Sequence, residues 1–68
     1  MDGNWKIIYA SNARYQCEML VQQLESANIH AVLLDKQDSS YHFGQVEVYV
    51  AQADMTAAQN LMQSLGIE

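Results

Sequence analysis

Apolar residues recur along this chain either at every second position or at every third and fourth, and each switch of spacing marks a change of secondary structure. Residues 5–9 (WKIIY) are a run of β-branched and aromatic side chains and predict a strand. Ser11 or Asn12 then offers a side-chain oxygen as an N-cap. From there Ala13, Cys17, Leu20, Val21, Leu24 and Ala27 share one helical face, and Asn28 ends the helix because asparagine tolerates the left-handed region. Residues 30–35 (HAVLLD) predict a second strand. Val46, Val48 and Val50 alternate with Gln45, Glu47 and Tyr49, so a third strand should bury one face and favour an antiparallel neighbour. Past Ala51 the spacing lengthens again: Met55, Ala58, Leu61, Met62 and Leu65 fall on one helical face, and Gly66 supplies the stop.

The order β-α-β-β-α matches the first elements of the ferredoxin-like β-α-β-β-α-β arrangement. The expected fold is therefore α+β: a three-stranded antiparallel sheet with two helices on one face and the final strand missing, because residues 66–68 are too short to supply it. No proline, repeat or low-complexity linker divides the chain, so residues 1–68 are expected to form a single domain. Without a closing strand, the first strand would present unpaired backbone groups along its edge, which proteins normally protect. A second copy or a partner's strand would satisfy them.

Composition narrows the function classes. The chain has 68 residues, half of them apolar and 16% charged, which is globular composition. A chain this short buries only about 60% of the surface its unfolded form exposes, so self-association would add welcome burial. Eight acidic against three basic side chains give a net charge of −5, and Lys6, Arg14 and Lys36 are too scattered to track a phosphate backbone or an anionic membrane. Neither nucleic acid nor membrane is an expected partner. The start of the chain is unlike a signal peptide, no apolar run is long enough to span a bilayer, and the cytoplasm is the expected location.

Chemistry-bearing residues are few. Cys17 falls on the apolar helix face, where a thiol is a small core side chain, and Arg14 with Glu18 forms a solvated i,i+4 pair. His30, Asp35, Asp38 and His42 follow no zinc-ligand spacing, so no metal is expected. Glycines stand only at positions 3, 44 and 66, which rules out a phosphate-cradling loop, and no cofactor or catalysis is expected. The stretch 36–44 (KQDSSYHFG) is longer than a hairpin between two strands requires. Asp38, Ser39 and Ser40 suit Asx- and Ser-turns, while Tyr41 and Phe43 are rings on a connection, where they can cover one end of the core or anchor a partner. Lys36, Asp38, Ser39, Ser40, Tyr41, His42 and Phe43 are thus the candidate partner-binding loop. Trp5, Ile7, Ile8, Tyr9 and Tyr49 are the candidate dimer interface, since the sheet has more apolar side chains than one covered face can take; Tyr15 and Met19 likewise lie opposite the core stripe of their helix.

Residues 38–41 (DSSY) followed by residues 43–50 (FGQVEVYV) resemble the DUF2007 family of small bacterial signal-transducing proteins. The likeness covers nearly the whole chain and includes a first strand ending in Tyr9, Gln16-Cys17-Glu18 where the family often has Glu-Ala-Glu, and Asn28-Ile29 then Ala31-Val32 where it often has Gly-Ile-Pro-Ala-Val. Gln16, Asn28 and His30 depart from that pattern. The resemblance implies a distant relation to PII-like regulators, whose ferredoxin-like core touches targets through the loop between the second and third strands. The expected function is a regulatory binding module acting through protein contacts and present as a homodimer. The alternative is an ACT-like sensor binding a small effector between two copies, with Asp35 and Lys36 as the local charged groups.

Overall fold

The alternating valines form the middle of a sheet. The computed structural model describes residues 4–36 and 45–67. Strand β1 spans Trp5–Ser11, helix α1 Arg14–Ser26, strand β2 Ala31–Asp35, strand β3 Val46–Ala51 and helix α2 Met55–Leu65, with a single 3₁₀ turn, Gln52–Asp54, leading into α2. The sheet order is β1-β3-β2, and β3 pairs antiparallel with both neighbours. The structure is therefore α+β with a three-stranded antiparallel sheet and two helices.

Val46, Val48 and Val50 are fully buried while Glu47, Tyr49 and Ala51 are half-buried, as the period of two requires. The valines meet Cys17, Leu20 and Leu24 of α1 and Ala58 and Met62 of α2 in one core, so both helices lie on the same side of the sheet. Ala31 and Ala58 are small enough to let β2 and α2 close on it. Burying each leucine or valine stabilises the fold by about 1.5–3 kcal/mol relative to exposure.

Both helices end in the same device. At α1, Asn28 sits at φ 65°; its N–H donates to Glu25 O at 3.0 Å and Ile29 N–H donates to Leu24 O at 2.9 Å. At α2, Gly66 sits at φ 76°, with Gly66 N–H on Gln63 O at 3.1 Å and Ile67 N–H on Met62 O at 2.8 Å. These are Schellman ends, and in each the following isoleucine folds back on the core, as such ends favour.

Three details differ from the expectations. β1 runs on to Ser11 because Ser11 pairs with Val46, so neither Ser11 nor Asn12 is the N-cap; Ala13 takes that position, and Ser11 Oγ instead accepts the Ala13 N–H at 3.0 Å. A bulge between Ile7 and Tyr9 breaks the alternation of β1. Ile8 and Tyr9 consequently both pack against the helix-side core, and only Trp5 and Ile7 of β1's candidate interface residues lie on the uncovered face. Ala27, expected on the core stripe of α1, is exposed where the helix ends.

Leu24→Ala is expected to lower stability by about 2–5 kcal/mol, enough to remove most of the margin of so small a domain. Asn28→Gly should be neutral or slightly stabilising and Asn28→Ala should cost about 1 kcal/mol, because only the last forces a Cβ-bearing residue without a local polar side chain to positive φ. Urea unfolding followed by circular dichroism measures all three.

Candidate functional site

Two surfaces of the described residues carry uncovered apolar groups, one on the sheet and one between the helices. The sheet surface is the face away from the helices. Cross-strand partners lie on one face, so register places Ile7, Tyr49 and Val32 in one row and Ala10, Glu47 and Leu34 in the next. Trp5 pairs with Ala51, and the small alanine leaves room for the Trp5 ring to meet the His30 ring edge-on, centroids 5.5 Å apart. His30 is thus an exposed neighbour of Trp5, 3.9 Å from Glu25.

A polar network crosses this face beside the apolar rows. Tyr49 OH donates to Glu47 Oε1 at 2.7 Å, and Lys36 Nζ lies 3.0 Å from the same oxygen. The Tyr49 hydrogen bond, followed by the Lys36 contact, holds the Glu47 carboxyl below its ordinary range. The same bond to Glu47 raises the Tyr49 phenol, and Glu47 raises Lys36. Lys36, expected as part of a contact loop, is therefore tied to the sheet. Asp38, Ser39, Ser40, Tyr41, His42 and Phe43 lie outside the described residues.

At the same end of β2, Arg14 joins two carboxylates, Glu18 at 3.0 Å and Asp35 at 2.7 Å. The i,i+4 pair was legible from spacing; the contact with Asp35, 21 residues away, was not. Cys17 is fully buried, its Sγ 3.5 Å from Val46 O, and burial pushes its thiol up, away from a reactive thiolate. No group of three His, Cys, Asp or Glu side chains is placed to hold a metal among the described residues.

The second surface is a groove of about 490 Å³ between α1 and the end of α2. Tyr9, Tyr15, Gln16, Met19, Leu65 and Ile67 are among its lining residues, and among the described residues no charged side chain lines it. Gln16 organises one end: its Oε1 accepts the hydroxyls of Tyr9 at 3.2 Å and Ser11 at 3.3 Å, while its Nε2 lies 3.5 Å from Tyr15 OH. The amide keeps the acceptor that a glutamate would supply at this position and drops the charge. Tyr15 is 64% exposed, Met19 58% and Leu65 41%; among the described residues of the sheet face only Ile7, at 44%, is comparably uncovered. The groove, more than the sheet face, is where apolar surface stands free.

The depressed Glu47 pKa contributes stability above the unfolded carboxylate range, and that contribution is lost as pH falls through the folded value. The raised Tyr49 pKa acts in the opposite sense: its contribution is present below the ordinary phenol value of about 10 and is lost as pH rises through the folded value. Tyr49→Phe should therefore lower stability by about 0.5–1 kcal/mol at neutral pH. Melting temperature against pH is expected to show the two proteins converging both at acid pH and at strongly alkaline pH.

No curated protein and no solved structure matched the chain in the comparisons made. Residues 5–66 match the DUF2007 family, described as "Putative prokaryotic signal transducing protein". The matched segment runs from the first residue of β1 past the end of α2, taking in every strand and helix described above. The chain belongs to the DUF2007 family.

Proposed function

We propose that this chain is a regulatory binding module of signal transduction that works through protein contacts, without catalysis, in the cytoplasm of a prokaryote. Under this reading the architecture is a ferredoxin-like arrangement lacking its last strand, distantly related to PII-like regulators, and residues 36–44 supply the partner-contact loop. The single observation that carries the proposal is the one-sided sheet: helices cover the face of Val46, Val48 and Val50, while Trp5, Ile7, Val32, Leu34 and Tyr49 line a face that no described element covers. An uncovered apolar face of this kind is a protein-contact surface in many small domains.

The alternative of a sensor for charged metabolites is less favoured by the local electrostatics. Asp35 is held by Arg14 at 2.7 Å and Lys36 by Glu47 at 3.0 Å, so both charged groups that reading would use have internal partners. Recruiting either would mean giving up an internal ion pair.

The proposal is tested with immobilised protein and lysate of the source cells, alongside a melting-temperature screen against amino acids and nucleotides. Wild type is expected to retain a discrete protein that Ile7→Glu releases and Met19→Glu still holds, with no metabolite raising the melting temperature. Retention unaffected by Ile7→Glu, or a clear thermal response to a metabolite, would contradict it.

A further inference from the structure

We propose that the exposed face of α1 is a homodimer interface, on which a second copy of this chain docks with its own α1 antiparallel about a twofold axis at Met19. This deepens the contact-module reading and rests on it, but uses a different surface from the sheet face. Tyr15, Met19 and Gln23 stand four residues apart on α1, share one stripe and all line the groove. About a twofold axis through Met19 the stripe is its own complement. Met19 meets Met19, and each Tyr15 faces the partner's Gln23, an apolar ring with a hydroxyl opposite an amide that can bond it. Leu65 and Ile67 flank the groove and would close over the inserted side chains.

Three observations favour a second copy as the occupant. The chain carries a net charge of −5, so two copies repel over most of their surfaces, and this patch presents no charged lining residue among those described. Glu18, the nearest carboxylate in sequence to Met19, is already engaged by Arg14 at 3.0 Å. Antiparallel packing also sets the N-terminus of each α1 beside the C-terminus of the other, which the helix dipoles favour. The competing route, strand addition at β1, meets a bulge and Lys6, both features that discourage edge pairing.

Sedimentation velocity from micromolar to millimolar concentration tests the proposal on wild type, Met19→Glu and Ile7→Glu. Wild type and Ile7→Glu are expected to reach a dimer, and Met19→Glu to remain monomeric with its circular dichroism unchanged and the melting temperature that wild type shows when too dilute to dimerise, since position 19 is largely exposed. In a second measurement, mild oxidation of Met19→Cys should give a covalent dimer in high yield. Tyr15→Cys alone should give little, and a mixture of Tyr15→Cys with Gln23→Cys should cross-link. A wild type monomeric throughout, a dimer surviving Met19→Glu, or a dimer lost in Ile7→Glu would overturn the proposal. The lysate experiment above depends on Ile7 and not on Met19, so the two readings fail separately.

Discussion

Everything in this fold hangs on β3. It is hydrogen-bonded on both sides, its three valines are fully buried under two helices, and each neighbouring element is positioned against it. A strand with two partners satisfies all its backbone groups, and a fully buried face gives it most of the apolar contact that so short a chain can offer. The exposed ion pairs around the periphery are secondary by comparison, since such pairs are screened by solvent. They fix details, holding the start of α1 to the end of β2 through Arg14 and Asp35, and the residue after β2 to β3 through Lys36 and Glu47.

The one-sided covering of the sheet follows from chain economy. With two helices, both are needed to bury Val46, Val48 and Val50, and the Schellman ends use Ile29 and Ile67 to extend the same core. The other face is left to side chains that shelter one another: Trp5 against His30, Tyr49 over Glu47, and the rows of Ile7, Val32 and Leu34 between them. Among the described residues that leaves two distinct free surfaces, a mixed polar and apolar sheet face and a helical groove with no charged lining residue. Their different chemistry is why they are assigned different partners.

Much of this was legible in the sequence. Strict alternation in residues 46–50 identified the buried valines, helical spacing placed Cys17, Leu20 and Leu24 in the core, and Asn28 and Gly66 marked the two left-handed helix ends. Side-chain periodicity reports burial directly, so those readings hold. The bulge at Ile8 was not legible, because an extra residue in an edge strand leaves no signature in composition, and it moved Ile8 and Tyr9 from the expected interface to the core side. Nor were the Arg14 to Asp35 contact and the Gln16 hub, which depend on tertiary distances between residues far apart or on different elements. Tyr15 and Met19 were recognisable as lying off the core stripe, but the groove beside them needed the end of α2 to be placed first.

Residue-resolved native-state amide exchange tests the organising role of β3 most directly. The amides of β3 are expected to exchange most slowly, opening only with global unfolding, while those of the two edge strands and the helix ends exchange through smaller openings. Slower exchange in α1 or α2 than in β3, or β3 amides as labile as those of the edges, would contradict the account.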